Sequence, residues 1–254
     1  MIGPVEKYLL DKIREDGAIH MTLIDLCPPE GEMTPPLASY LACEAESSQT
    51  AAIMLGGSSL ILTSHLDEVA KEVKKAVKIP VILFPNNVTG ISKYADAIWF
   101  MSLLNSSDPY FLSGAQVLGA PIIRKFGLEP IPLGYIVVGM GGSVGVIGRV
   151  SPIPYDKYEL AAAHALAAQY FGMRFVYLEA GSGAGEPMPK GMIEAVKKLI
   201  DIPLLVGGGI RRGEQAKEAV EAGAGVIVTT AAQRSEVRDR IRELVESIKL
   251  GRRM

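Results

Sequence analysis

The feature that most constrains the fold of this chain is an alternation between two kinds of hydrophobic spacing. Short, nearly continuous apolar runs are followed by segments in which apolar residues recur every three or four positions. Continuous apolar runs are typical of strands buried on both faces, as in a parallel sheet. They predict eight strands, at residues 18–25, 51–55, 80–84, 97–101, 131–138, 174–179, 203–206 and 225–229.

The segments between the strands have the spacing of amphipathic helices. In the last of them, apolar residues recur on one face from Val237 to Ile248. Ser64 and Asp67 have the spacing of a capping box at the start of another. An extra helix is predicted at 4–16, ahead of the first strand, because a proline opens it and a glycine follows it.

Eight strands alternating with helices in 254 residues predict an α/β fold, a (β/α)8 TIM barrel in which residues 1–254 form a single domain. One interval departs from the pattern. The dozen residues NNVTGISKYADA after the third strand are barely enough for a crossover that contains a helix. We therefore expect a gap in the helical ring, with an apolar wall that binds a ligand. A cramped loop covered by the N-terminal helix or by another subunit explains the spacing equally well.

Composition excludes some functions and places the chain in a compartment. The net charge of −2 gives no electrostatic argument for a nucleic-acid partner. Two cysteines, Cys27 and Cys43, have neither disulfide-framework nor metal-site spacing, so we expect reduced thiols in the cytoplasm. The longest uncharged run, residues 130–148, contains six glycines and two prolines. It indicates a strand and a glycine-rich loop rather than a membrane span.

In a barrel of this class, catalytic groups lie at the C-terminal ends of the strands. The first strand ends in Asp25, a carboxylate that can bind a metal or act as a base, with a turn cap as the alternative. The second ends in GGSS, where Ser58 offers an oxygen, although a plain turn is the simpler explanation. The sixth ends in Glu179, followed by the glycine-rich stretch AGSGAGEP.

The last strands predict a phosphate site. Strand seven ends in GGGIRRGEQ and strand eight in VTTAAQ. Consecutive glycines before a helix bring backbone N–H groups and the helix dipole to one point. The sequence has neither G-x-G-x-x-G nor a Walker A loop, which argues against a dinucleotide or P-loop site. His20, His65 and His164 have no metal-ligand spacing and are predicted to be structural.

Five pieces of the chain occur in an order typical of one enzyme family: HMTLID, IMLGGSS, PVILFPNNVTGISKYADAIWFMSLLNS, YLEAGSG and LLVGGGIR. Through them the chain resembles the geranylgeranylglyceryl phosphate synthase family, archaeal prenyltransferases of ether-lipid synthesis. The resemblance implies a TIM barrel with the third helix replaced by a loop. It also implies a Mg²⁺-dependent reaction in which the 3-hydroxyl of sn-glycerol 1-phosphate displaces diphosphate from C1 of geranylgeranyl diphosphate.

The resemblance also assigns residues. Asp25 and Ser58 correspond to metal ligands, and Asp25 and Glu179 are the expected catalytic groups, with Glu179 orienting the hydroxyl or taking its proton. At the end of strand eight, this chain departs from the family's usual glycine followed by threonine or asparagine. The implied glycerol phosphate site consists of Tyr177, Leu178, Glu179, Ala180, Gly181, Ser182, Gly183, Gly208, Gly209, Thr230 and Ala231.

Several expectations depend on the resemblance or remain open beside it. Trp99, the only tryptophan, either closes a groove for the prenyl tail or is ordinary barrel packing. The family relationship implies a homo-oligomer and a peripheral contact with the membrane-lipid product. Three other classes stay open: a phosphosugar isomerase or indole-glycerol-phosphate-type barrel, an FMN-binding oxidoreductase barrel, and a non-catalytic metabolite-binding barrel.

Overall fold

The structure, a computed structural model, is a closed barrel of eight parallel strands. It describes residues 2–27, 31, 33–57, 62–181, 183–231 and 237–251. The strands pair in chain order, and β8 closes the barrel on β1. They are β1 Ile19–Asp25, β2 Ala52–Gly56, β3 Val81–Phe84, β4 Ala97–Leu103, β5 Glu129–Val137, β6 Phe175–Glu179, β7 Leu204–Gly207 and β8 Val226–Thr230.

Helices surround the barrel on the outside, and one precedes it. The α-helices in the described ranges are α1 Pro4–Asp16, α2 Pro35–Ser47, α3 Thr63–Ala76, α4 Ala115–Phe126, α5 Gly142–Ile147, α6 Tyr158–Tyr170, α7 Lys190–Leu199, α8 Gly213–Glu221 and α9 Val237–Gly251. A π-helical turn, Tyr110–Gly114, precedes α4. Among the described residues, no helix is both long enough and apolar enough to cross a bilayer.

The strand and helix predictions are largely confirmed. Each strand begins and ends within two residues of its predicted position, and α1 has the predicted bounds. Between β3 and β4 the chain forms only a single 3₁₀ turn, Val88–Gly90. A loop therefore does replace the helix that would follow the third strand of an ordinary barrel. The predicted capping box is wrong, because α3 begins at Thr63 and Ser64 lies inside its first turn. The Asp67 carboxylate instead accepts a hydrogen bond from the Ser92 hydroxyl at 2.5 Å.

Helix α1 closes the N-terminal end of the barrel. Val5 and Leu9 pack in the same buried cluster as the inward-facing strand residues. The Glu129 carboxylate, at the start of β5, accepts hydrogen bonds at 2.8 Å from the N–H groups of Val5 and Glu6, which caps the helix. Buried Glu6 pairs in turn with the Arg174 guanidinium. Because α1 occupies this end, it does not cover the gap beside β3 and β4.

A buried histidine, His20, lies on the outer face of β1, because its neighbours Ile19 and Met21 face the barrel interior. The His20 ring is hydrogen-bonded to the hydroxyls of Thr50 at 3.0 Å and Thr229 at 2.9 Å. Burial lowers the pKa of His20 to about 3, so the ring is neutral in the folded protein. The prediction that His20 packs rather than catalyses agrees with this placement.

The lowered pKa of His20 should make stability depend on pH. The unfolded chain protonates this residue near its usual pKa of about 6.5, whereas the folded chain does not until about 3. The free energy of unfolding should therefore fall by up to about 1.4 kcal/mol per pH unit as pH drops through this window. Denaturant unfolding between about pH 7 and pH 4 measures the slope. His20→Gln should reduce the slope of the unfolding free energy against pH by the contribution of about one proton, whereas the control His164→Gln should leave the slope unchanged. Equal slopes in the wild type and both variants would contradict the prediction.

Candidate functional site

Glu179, the last residue of β6, lies in the C-terminal mouth of the barrel. It is 7% exposed, and its Oε1 accepts a hydrogen bond from the Gly181 N–H at 2.7 Å. Burial raises the pKa of Glu179 above its usual value, while hydrogen bonds from Gly181, Tyr177 and Tyr135 oppose the rise. A carboxylate whose pKa is raised accepts a proton more readily at neutral pH than an ordinary one. The site therefore has a group suited to general-base chemistry.

Two tyrosines lie beside this carboxylate. The Tyr135 hydroxyl, from β5, donates to Glu179 Oε2 in a longer contact of 3.3 Å. Burial, and then the charge of Glu179, raise the pKa values of Tyr135 and Tyr177 well above 10, so both phenols stay protonated. Tyr135 was not singled out from the sequence. The available signal was its place among the alternate, inward-facing positions of β5.

Glycines after β6 and β7 bring the backbone close to Glu179. Gly181, Gly208 and Gly209 have φ values of 101°, 83° and 72°, the left-handed region that favours glycine. A Cβ on Gly208 would lie 2.7 Å from Glu179 Oε1, and one on Gly209 would lie 2.3 Å from the Glu186 carbonyl oxygen. The two glycine turns therefore pack against each other around the carboxylate, which side chains at these positions would prevent.

A polar cavity of about 200 Å³ opens at the ends of β6, β7, β8 and β1. Pockets for drug-sized ligands run from about 300 to 1,000 Å³, so this cavity suits a small polar molecule. Two arginines at its edge, Arg211 and Arg240, favour an anion. Its lining consists of Leu23, Tyr177, Glu179, Gly183, Gly208, Gly209, Ile210, Arg211, Val228, Thr229, Thr230 and Arg240.

The structure brings together most, but not all, of the implied glycerol phosphate site. Leu178 and Ala180 are buried on the outer side of the barrel, so only their backbone faces the mouth. Ala231 is also buried there, and its N–H donates to the Leu23 carbonyl at 2.8 Å. That N–H is therefore engaged within the barrel. Ser182 and Ser58 lie outside the described residues.

The two arginines were not assigned a role from the sequence. Arg211 stands inside the quoted run GGGIRRGEQ, and its guanidinium donates to the Ala184 carbonyl at 3.1 Å. Its position directly after three glycines was the signal available. Arg240 comes from α9, and the sequence carries no mark of the helix turn that reaches the barrel mouth.

Asp25 ends β1, and we tested whether its surroundings fit a metal ion. Its Oδ1 accepts a hydrogen bond from the Cys27 N–H at 2.9 Å, and its register partner on β2 is Gly56. No three His, Cys, Asp or Glu side chains within the described ranges could together hold a metal. Mg²⁺ commonly uses one or two protein carboxylates and completes its shell with water and substrate phosphates. A single strand-end carboxylate fits such an ion, and does not fit an all-protein metal cage.

An apolar groove lies where the helix between β3 and β4 is missing. It follows β4 and is closed on its other side by α4 and α5. This placement matches the apolar wall expected from the short interval between the third and fourth strands. Its lining includes Pro85, Val88, Ile91, Ile98, Trp99, Phe100, Met101, Leu103, Phe111, Gly119, Ile123, Tyr135, Val144 and Ile147.

The placement of Trp99 is compatible with both roles that the sequence leaves open, barrel packing and lining of the groove. It is fully buried in the barrel interior, where its ring packs edge-on against Phe175 at a centroid distance of 5.2 Å. It also forms part of the groove lining. Its indole N–H has no hydrogen-bond partner among the described residues. Its role in setting tail length stays a prediction.

Three comparisons with known proteins bear on this site. The family model described as the PcrB family matches residues 11–248. Geranylgeranylglyceryl phosphate synthase of Thermofilum pendens is 50% identical over 253 residues, which cover 99% of this chain and 97% of that protein. The enzyme of the same name from Pyrococcus horikoshii is 51% identical over 251 residues, covering 98% and 97%.

A solved structure is similar along nearly the whole chain. It is the crystal structure of (S)-3-O-geranylgeranylglyceryl phosphate synthase from Thermoplasma acidophilum in complex with its substrate sn-glycerol-1-phosphate. The TM-score is 0.92 at 40% sequence identity, and the match covers 98% of this chain and 100% of that one.

Proposed function

The chain belongs to the PcrB family, and from this membership we propose that it is a prenyltransferase that joins sn-glycerol 1-phosphate to geranylgeranyl diphosphate. The product would be geranylgeranylglyceryl phosphate, the first ether of archaeal membrane lipids, with diphosphate released. One observation carries the proposal. A polar cavity with a buried carboxylate lies beside an apolar groove, and Tyr177 of the cavity packs on Tyr135 of the groove at a ring-centroid distance of 5.2 Å. This arrangement suits one small anion and one long apolar chain.

We infer that the polar cavity binds the glycerol phosphate. The Thermoplasma acidophilum relative binds this molecule, and the glycine turn at Gly208 and Gly209 follows β7, next to Glu179 at the end of β6. Backbone N–H groups there, with Arg211 and Arg240 at the edge, favour a phosphate. The hydroxyl would then be hydrogen-bonded to Glu179, which accepts its proton as the new C–O bond forms.

We infer that Asp25 serves the other substrate. With Ser58, it would hold the Mg²⁺ ion that the family relationship implies. The bound ion supplies Lewis-acid stabilisation of the charge on the departing diphosphate. Asp25 itself is kept in position by the hydrogen bond that its Oδ1 accepts from Cys27. The prenyl tail would leave this point along the apolar groove.

A product assay tests the proposal directly. The purified protein is incubated with radiolabelled sn-glycerol 1-phosphate, Mg²⁺ and prenyl diphosphates of increasing length. We expect label to enter an organic-extractable product, most efficiently with the twenty-carbon donor. An isomerase or a metabolite-binding barrel would leave the label in the aqueous phase, and an FMN-binding barrel would purify as a yellow protein. Failure to form lipid with any donor would refute the prenyltransferase.

Narrowing the groove should discriminate against long donors. Gly119 of α4 lines the groove, and even a Cβ there would lie 3.2 Å from Ile91 Cδ1. Gly119→Leu should therefore lower kcat/KM for the twenty-carbon donor by about tenfold or more, and change a five-carbon donor little. Ala120→Leu, at the adjacent exposed position of α4, is the matched control. Equal losses for both donor lengths would mean that the tail lies elsewhere.

We further propose a homo-oligomer that contacts the lipid phase. Met140 lies just before α5 and Val146 lies within it, and the two side chains are 89% and 81% exposed. Because α5 also lines the groove, they favour contact with lipid at its mouth. Tyr170 and Phe171, 78% and 75% exposed at the end of α6, favour contact with a second copy. Vesicle co-sedimentation tests the first contact. A light-scattering mass of only 27.2 kDa would contradict the second.

We also propose a cytoplasmic location. The sequence has only two cysteines, Cys27 and Cys43, without disulfide-framework spacing, and reduced cysteines are usual in that compartment. Fractionation of the source cells with an antibody against the protein tests the location.

A further inference from the structure

The polar cavity and the apolar groove are separated by aromatic rings. Tyr177 lines the cavity, Tyr135 lines the groove, and Phe84 packs on both from the end of β3. The ring centroids are 5.2 Å apart for the two tyrosines, 5.5 Å for Phe84 and Tyr135, and 5.7 Å for Phe84 and Tyr177. We call these three residues the aromatic wall.

The place of the aromatic wall matters for the proposed reaction, on which this inference rests. When the bond from C1 to the diphosphate oxygen breaks, the electron pair leaves with the diphosphate, and positive charge spreads over C1 and C3. The glycerol hydroxyl oxygen then bonds to C1, and its proton passes to the Glu179 carboxylate. Because charge develops before the new bond is complete, the rate depends on how the surroundings of C1 stabilise a cation.

We propose that the aromatic wall is the surface that stabilises this allylic cation. The tail occupies the groove that Tyr135 lines, and the hydroxyl arrives from the cavity that Tyr177 lines, so C1 reacts next to these rings. An aromatic face attracts a cation within about 6 Å of its centroid, and the attraction is stronger where water is excluded. Phe84, from the neighbouring side of the barrel mouth, adds a third face.

Two further observations fit this role. Burial keeps the pKa of Tyr135 and of Tyr177 well above 10, so each offers a neutral ring rather than a phenolate that would attack the cation itself. A strand-end glycine leaves the Tyr177 ring its space, because a Cβ on Gly207 would lie 2.1 Å from the Tyr177 hydroxyl oxygen.

Phe84 gives the cleanest test, because it has no polar side-chain atom, whereas both tyrosines also interact with Glu179. Site-specific replacement by phenylalanines with one, two and three ring fluorines weakens the π face stepwise and nearly preserves its shape. We expect log kcat with geranylgeranyl diphosphate to fall steadily with fluorine number, to about tenfold below wild type. KM for either substrate should change by less than about twofold.

Phe175 is the matched control, because it lies two residues before Tyr177 on β6 and packs on Trp99 deeper in the barrel. Fluorination there should leave kcat unchanged. Phe84→Leu, with unchanged thermal unfolding, should lose about ten- to thirtyfold in kcat. A flat Phe84 series, or a wild-type rate in Phe84→Leu, would overturn the cation role and leave the proposed function standing. Absence of any wild-type product would overturn both.

Discussion

Replacing Glu179 with glutamine should lower kcat for ether formation by about 10²–10⁴-fold. Glutamine keeps the shape of the side chain and can still accept the hydrogen bond from the Gly181 N–H, but it cannot take a proton from the hydroxyl. The loss should appear in the use of glycerol phosphate, while affinity for the prenyl diphosphate stays close to wild type. Single-turnover rates with each substrate titrated separately measure both quantities.

The pH profile provides a second readout of Glu179. Burial raises the pKa of this carboxyl, so activity should be lost as the pH falls through a pKa above the usual 4.5. That acidic limb should be absent from the residual activity of Glu179→Gln. Glu186→Gln, an exposed carboxylate on the following loop, is the control and should keep the wild-type profile. If Glu179→Gln keeps the wild-type rate, or loses only affinity for the prenyl diphosphate, then Glu179 does not accept the proton of the glycerol phosphate hydroxyl.

Replacing Asp25 with asparagine should cost about 10³-fold in kcat, because Lewis-acid assistance is worth several kcal/mol and about 1.4 kcal/mol is tenfold in rate. Asparagine can still accept the hydrogen bond from Cys27, so the turn after β1 should be preserved. A Mg²⁺ titration of the initial rate measures the effect, and the half-saturating concentration should rise.

Asp239→Asn, an exposed carboxylate on α9, is the control for charge. It should keep the wild-type Mg²⁺ dependence and rate. If Asp25→Asn has the same Mg²⁺ curve as wild type, Asp25 is not the metal ligand, whatever the change in kcat.

The barrel was predictable because its signal is repeated. Each buried strand has its own apolar run, so an error in the predicted end of one strand leaves the topology unchanged. An example is β4, which extends to Leu103, two residues beyond its predicted end. The missing helix could be read from chain length alone, since too few residues separate β3 from β4. The prediction of the capping box was wrong because such a motif depends on the exact residue at which the helix begins. The Asp67 carboxylate instead accepts a hydrogen bond from Ser92, a contact that the local sequence does not show.

The candidate site was only partly predictable. Asp25 and Glu179 could be found because each is an acid at the end of an apolar strand, where the fold places active sites. Tyr135 looks like any inward-facing barrel residue, and Arg240 like any surface arginine, until the packing of β5 and α9 is known. Ala231 illustrates the opposite case, because the sequence cannot show that its N–H already bonds to the Leu23 carbonyl.

The loop between β3 and β4 has a consequence for folding as well as for catalysis. In an ordinary barrel a helix would cover the outward side chain of Phe100, which is only partly buried here. On the proposed function, the prenyl tail takes the place of that helix, so the substrate completes the hydrophobic core. A ligand that binds the native state and not the unfolded one stabilises the fold. The lipid donor is then, while it is bound, a structural element of the barrel.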